Sequence, residues 1–533
     1  MTLSPSNELN CPSNSEESYV SQHKLKSDGE ENNSKQVNGS SPIDEFKGND
    51  TLINFISEML MEEEDLGNKP SMLHDCLALQ ATEKSFYDAL TNNLDHNSDN
   101  FTRSCSVIDN SGNPSVTTTF VDALNNDLDK GFSDSMSLGH DSEPSNQITG
   151  YYSEMSVDLR SLLMQCAQAI SDFDNKTLNY LMSEIRQHSS PIGDGVRRVA
   201  HYFANALEAR LTGTGISLIT AFASKRLSTV EILKAYKMFV IACPLMHMSN
   251  LMANRTICIL ASTATTLHVI DFGILYGIQW PCLIHALSLR PGGPPKLRIT
   301  GIDFPQPGFR PAERVEDTCR RLAKYGERFG VPFEYNAIAQ KWDTITLEDL
   351  KIEKNELVIV NSMYRLHNVP DETETGNSPR DAVLNLIKKI NPDMFVHGIA
   401  NGQFNSHFFT TRFKVAFFHF STMFDIFEAT IPQDDEDRLL FEQQFFGKEA
   451  MNIIACEGTE RIERPETYKH WEVRTVRAGF QQLTIDKDIV KRMGKVKNDY
   501  HKSFSVDEDG KWILLGWKGR VIQGLSCWRP THN

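Results

Sequence analysis

The stretch TLHVIDFGILYGIQWPCLIHALSLRPGGPPKLRITGID, residues 266–303, decides the fold. An apolar run at 267–271 ends in an acid, a glycine-containing turn follows, and a second apolar run at 297–303 ends in another acid. A strand of a parallel sheet reads as such a run because both of its faces are covered. Between the two, 279–289 has helical spacing, with Pro281 tolerated in the first turn. Strand, turn, helix, strand is how a nucleotide-binding α/β frame begins.

Downstream the alternation continues. A helix is expected over 314–329, with Val315, Cys319, Leu322 and Phe329 inward, then strands over 333–338 and 356–361. Ser378-Pro379 opens a further helix as cap and first helical residue, and 394–398 is a fifth strand. Such alternation implies a parallel sheet. Aromatic-rich helices follow residue 401, and the chain then turns to strands, with Asp509-Gly510 and Lys518-Gly519 as hairpin turns. This succession resembles the sheet of class I methyltransferases.

Upstream, 156–261 is helical. Leu159, Leu162, Leu163, Cys166 and Ile170 recur at helical spacing, as do Leu178, Leu181, Met182 and Ile185, then Val196, Val199, Ala200, Phe203 and Leu207. Ser228 and Glu231 stand at capping-box spacing before a run that stops at Pro244, and another helical run covers 251–261. The expected fold class is therefore α/β: a methyltransferase-like Rossmann-type core sheet with an N-terminal α-helical cap, preceded by a largely disordered acidic arm.

The arm is residues 1–150. It holds 26 acidic and 8 basic side chains, a net of −18, which leaves 44 acidic and 46 basic, a net of +2, for the rest. Rich in Ser, Asn and Asp, it cannot bury enough apolar surface to offset chain entropy. Short amphipathic segments at about 50–90 are the exception. Ile53, Ile56, Met59, Leu60 and Met61 form one apolar stripe with acids behind it; Leu77, Leu79, Ala81 and Phe86 form another. Acidic-amphipathic segments of this kind fold against a partner's groove. No apolar run reaches the roughly 18 residues that span a bilayer, so a soluble intracellular protein is expected. The ten cysteines are scattered without a CxxC pair, and Cys166, Cys258 and Cys282 read as buried free thiols.

As chemistry, the opening stretch allows two readings. A methyl-donor site needs the first acid, a glycine turn whose N–H groups approach the cofactor, and a second acid for ribose hydroxyls. Asp271, Gly273, Gly277 and Asp303 fit part of this. Leu275, next to Tyr276, fills the space between the glycines, and GxGxxG is absent. In the preferred reading Asp271 caps the next helix or binds loop amides, and the glycines permit tight strand-to-helix packing. His268 reads as a core histidine. No GxSxG, HExxH or P-loop occurs; Glu356, Asp371 and Glu372 are unpaired, and Ser362 with His367 lacks a third member. No catalytic, cofactor or metal residues are nominated.

LHVID at 267–271 (Leu267, His268, Val269, Ile270, Asp271) resembles the VHIID signature of GRAS-domain proteins, the plant transcriptional regulators that include the scarecrow-like proteins. The resemblance covers a domain at 151–531. A first leucine-rich region at about 156–216 contains LRSLL, with Leu159, Leu162 and Leu163. The VHIID region spans about 235–302, and a second leucine-rich region about 318–350. A PFYRE region covers about 359–453 with Pro392, Phe409 and Arg412, and a SAW region about 456–530, where the triplet stands as Ser526, Cys527 and Trp528. QWPCLIHALSLRPGGPPKLRITGID with PQPGFRPAERVEDT, and FISEMLMEEEDL with LQATEKSFYDAL, resemble the LISCL subgroup.

The resemblance implies a nuclear transcriptional regulator without methyl transfer and without a cofactor. Its partners would be DNA-binding transcription factors, with the bZIP type as the family-based choice, other GRAS proteins as dimers, and transcription machinery engaged by the acidic arm. The leucine-rich regions and VHIID would make partner contacts. LRSLL puts three leucines on one helix face, which suits a coactivator groove and equally the cap's own core. Trp512, Trp517 and Trp528 read as hairpin packing or ligand contact. The basic run KDIVKRMGKVKNDYHK, with Lys491, Arg492, Lys495 and Lys497, reads as a solvated helix face or as a place of direct DNA contact. The rival class is a methyltransferase-like enzyme or small-molecule sensor using the strand-end cleft.

Overall fold

In a computed structural model of the chain, the opening stretch forms strand β1 (Thr266–Phe272), the helix Trp280–Ser288 and strand β2 (Lys296–Asp303). Residues 48–67, 157–224, 229–306, 309–370 and 378–531 are described. β3 (Phe333–Ala339), β4 (Leu357–Met363) and β5 (Met394–Ala400) follow, with the helices Glu313–Arg328 and Pro379–Ile390 among the connections. All five expected strands form. At the second of these helices Ser378 Oγ accepts from the Asp381 amide, with Pro379 in the first turn. The expected capping role of Ser228 falls outside the described residues.

β6 (Phe480–Leu483), β7 (Phe504–Asp509), β8 (Trp512–Trp517) and β9 (Arg520–Pro530) complete the sheet, ordered β3-β2-β1-β4-β5-β9-β8-β7 with β6 also on β9. β1 to β5 run parallel; β9 enters antiparallel to both β5 and β8. Lys518 and Gly519 both have positive φ, which fits the two-residue turn that joins twisted antiparallel strands. The core is thus a Rossmann-type sheet with an antiparallel flank and a reversal of strand order between β1 and β4.

The cap comes from two parts of the chain, not from the N-terminal part alone. The helices Leu159–Ser171, Asn175–His188, Gly195–Thr212, Gly215–Ser224, Thr229–Ala242 and Leu245–Leu260 form the first. The last of these starts six residues earlier than the spacing predicts, directly after Pro244, because a proline that ends one helix also suits the start of the next. Phe409–Thr430, Glu436–Phe441 and Lys448–Ala455, inserted after β5, form the second and pack on the first. Phe203 meets Phe413, Phe417 and Phe420 edge-on across that contact, at centroid distances of 5.1–5.9 Å. Cap and sheet share one apolar core.

Within the arm, Gly48–Gly67 is helical and buries Leu52, Phe55, Ile56, Met59 and Leu60, while Met61 is exposed. The segment at 77–86 lies outside the described residues. Among the described residues no helix is long and apolar enough to cross a membrane, and no cluster of His, Cys, Asp or Glu fits a metal ion. Cys166 and Cys282 are buried free thiols and Cys258 is half-buried.

Candidate functional site

The reversal between β1 and β4 opens a crevice at the carboxyl ends of the strands, the usual ligand position of such sheets. Asp271 and Asn361 face each other there in register. Asn361 Nδ2 donates to Asp271 Oδ1 at 2.9 Å, and the Trp280 indole donates to Oδ2 at 2.8 Å. Gln279 Nε2 donates to Asn254 Oδ1 and Asn361 Oδ1 at 3.2 and 3.3 Å. Burial pushes the Asp271 carboxyl up to about 7 even though both donors favour its charged form. Both carboxylate oxygens are therefore held by the chain itself.

One position of the turn is occupied as well. Gly273 has φ +107°, and a Cβ there would lie 2.4 Å from Arg365 Cγ, so its missing side chain admits Arg365. Leu275 stands at φ +49°, costly for a branched residue, and its carbonyl accepts from Thr318 Oγ1 at 2.7 Å. Asp303, the candidate ribose acid, accepts from Arg314 Nη2 and Nε at 2.5 and 3.0 Å and from the Phe304 amide at 2.8 Å. The two carboxylates that a methyl donor would use are engaged internally.

A cavity of about 310 Å³ remains above this floor, walled by both halves of the cap. Arg365, Glu449 and Glu463 line it, with Tyr236, Tyr364 and His367. Burial, then the neighbouring Glu463 charge, pushes Glu449 up to about 8. Glu463 is held below the usual carboxylate range: burial opposes this, but a 2.9 Å bond to His367 Nε2 and one from Asn368 outweigh it. Sequence reasoning singled out only His367 of this group. The others carry no local signal, since their meeting depends on a cap segment some 90 residues beyond β4 in the chain.

The other nominated residues are mostly interior. His268 is a core histidine: Nδ1 meets Glu356 Oε2 at 2.9 Å and Nε2 meets Thr300 Oγ1 at 2.8 Å, and burial keeps its pKa below the ordinary value. Glu356, which also pairs with Arg298, is thus a structural group. Leu267, Val269 and Ile270 are buried with it, so the VHIID stretch is the central strand and offers no partner surface. Ser362 Oγ donates to the Phe272 carbonyl at 3.1 Å, apart from His367, which is committed to Glu463. Asp371 and Glu372 lie outside the described residues.

Leu159 and Leu163 are buried and Leu162 packs against the same core, so LRSLL belongs to the cap interior; its place as a partner motif is corrected accordingly. Trp512, Trp517, Ser526, Cys527 and Trp528 are all buried, which corrects the ligand-contact reading. Trp528 Nε1 donates to Ser526 Oγ at 2.8 Å, Trp517 Nε1 donates to Asp425 at 2.6 Å, and burial pushes the Cys527 thiol up to about 12. On the helix Lys487–Asn498, Ile489 and Met493 turn inward; Lys491 and Lys495 are exposed, and Arg492 and Lys497 half-buried.

Fold and site together define a class: a Rossmann-type core whose two strand-end acids are engaged by its own side chains, under a two-part helical cap. The GRAS domain family matches residues 159–529, and the chain belongs to that family, whose members are plant transcriptional regulators. Scarecrow-like protein 14 of Arabidopsis thaliana is 53% identical over 380 residues, 71% of this chain and 49% of that protein. Scarecrow-like protein 30 of the same plant is 46% identical over 549 residues, 94% of this chain and 93% of that one. The chain therefore spans about half the length of the first relative and nearly all of the second. A crystal structure of SCL7 in Oryza sativa superposes with a TM-score of 0.60 at 27% identity, covering 70% of this chain and 100% of that one.

Proposed function

We propose that the chain is a nuclear transcriptional co-regulator that joins a DNA-bound factor to the transcription machinery and is not an enzyme. The internal engagement of both strand-end acids supports this reading. With Asp271 held by Asn361 and Trp280, and Asp303 by Arg314, the strand ends serve as a rigid floor. The cap's outer face then takes the DNA-bound factor, of bZIP type or another GRAS protein, and the acidic arm recruits machinery.

Because the leucine-rich motif residues are interior, contact falls to apolar side chains that the first two cap helices leave outside. Phe173, in the turn between them, is 87% exposed and Tyr180 is 64% exposed. Aromatic side chains in that position supply contact area at low entropic cost. The double substitution Phe173→Ala with Tyr180→Ala is expected to leave the unfolding midpoint within about 0.5 kcal/mol of the parent. Recovery of the DNA-bound factor in a pull-down from plant nuclear extract should fall at least tenfold. Undiminished recovery would move the contact to another face.

Direct DNA contact falls on Lys491 and Lys495, the exposed members of the nominated basic residues on the Lys487–Asn498 helix. Charge reversal of both should lower the slope of log K against log salt by about 2, one per phosphate contact. Titration of a labelled duplex at several salt concentrations reads this directly. A parent protein that binds no duplex at low salt leaves recruitment by other factors as the route to DNA.

A further inference from the structure

The arm's amphipathic segment is seated on the chain's own body. Leu52, Phe55, Ile56, Met59 and Leu60 recur at i, i+3/i+4 and i+7/i+8 and all point into the contact; Ile56 is fully buried. The seat is formed by the helices Thr229–Ala242, Leu245–Leu260 and Trp280–Ser288. The Glu313–Arg328 helix forms its rim, where the Phe55 ring meets Tyr325 edge-on at 5.3 Å. Glu58 Oε1 pairs with Arg328 Nη1 at 2.6 Å, and Glu62 Oε2 lies 3.6 Å from Arg321 Nε. An apolar groove with an arginine rim is complementary to an acidic amphipathic helix.

We propose that this groove is an autoinhibitory docking site whose occupant is the chain's own segment 52–62, held in cis. The apolar face that an acidic recruiting segment would offer to a partner is the face that is buried, so docking and recruitment exclude one another. A partner must first displace the segment, and its apparent affinity falls by the fraction of time the segment is free. The masking half of the proposal rests on the arm's recruiting role proposed above; the docking half does not.

The test compares the full chain with three variants: Tyr325→Ala, the double reversal R321E/R328E, and that reversal combined with E58R/E62R. Hydrogen exchange is read at residues 52–60 and across the body, alongside a reporter assay with the same proteins. Amides 52–60 of the parent are expected to exchange at least about tenfold more slowly than unstructured amides. Protection should be lost in Tyr325→Ala and R321E/R328E and return in the fourfold swap, while exchange in the sheet stays unchanged. Reporter output should rise several-fold in the two released variants.

Unprotected parent amides, or a swap that restores nothing, overturn the docking. Protection that disappears on dilution places the segment in the groove of a second copy and overturns the arrangement in cis. Residues 1–150 fused to a neutral DNA-binding domain separate the remaining cases. If the fusion activates and release raises no output, masking is overturned. If the fusion is silent, the arm's recruiting role fails, the masking proposal falls with it, and the exchange data alone decide the docking.

Discussion

Replacement of Arg198 by alanine is expected to lower the unfolding free energy by about 3–5 kcal/mol, the cost of leaving a buried partner charge alone. Arg198 is fully buried between the two halves of the cap. Its Nε donates to Glu442 Oε1 at 3.0 Å, and its Nη1 donates to Glu428 Oε2 at 2.6 Å and to the Gly193 carbonyl at 2.9 Å. Without it, Glu442 keeps only Arg438, whose Nη1 is 3.6 Å away, beyond a good hydrogen bond. Replacing both partners by apolar residues of similar volume, Arg198→Met with Glu442→Leu, should recover only part of the loss, because the buried Arg438 then loses Glu442 as its partner. Urea midpoints of the three proteins check this. A single alanine costing under about 1 kcal/mol would show that the pair contributes little to holding the cap halves together.

The second expectation concerns pH. Asp271 has its carboxyl raised to about 7 by burial, above the ordinary 3.8. The folded state therefore holds a proton that the unfolded chain releases. The resulting stability is fully present below about pH 4 and is lost as pH rises through about 7, a slope of up to about −1.4 kcal/mol per pH unit between them. Asp271→Asn removes this one titration and should make that part of the profile shallower by up to about 1.4 kcal/mol per pH unit, Glu449 and Glu442 supplying the remainder, at the cost of one acceptor for Trp280 or Asn361. Denaturant midpoints from pH 4 to 8 for both proteins measure the difference. Parallel profiles would mean that the carboxyl ionises freely in the folded chain.

The α/β frame was legible because buried parallel strands leave near-continuous apolar runs, and 267–271, 297–303 and 394–398 are such runs. The turn was legible only as a departure from the glycine pattern: Leu275 and Tyr276 line the cavity, and the side chain that occupies the space at Gly273 is Arg365. Long-range pairing left no local trace. Nothing in the residues of 520–530 says that β9 lies between β5 and β8, or that Arg365 fills the space at Gly273. The buried arginines were invisible for another reason. Arg198 and Arg412 read as surface residues until their carboxylate partners come from distant segments. The LRSLL and SAW residues were legible as apolar, but apolarity alone does not separate an interior from a docking face.

The placement of β9 has a consequence for how the molecule comes together. Five parallel strands on one side and the β7–β8 ribbon on the other touch chiefly through this single strand, which bonds to β5 along one edge and to β8 along the other. Until it arrives, each side presents a bare row of backbone donors and acceptors, open to any neighbouring chain with a strand to offer. Assembly of the sheet is thus a keystone problem: the two flanks are synthesised first, and the piece that makes them one body is inserted between them afterwards.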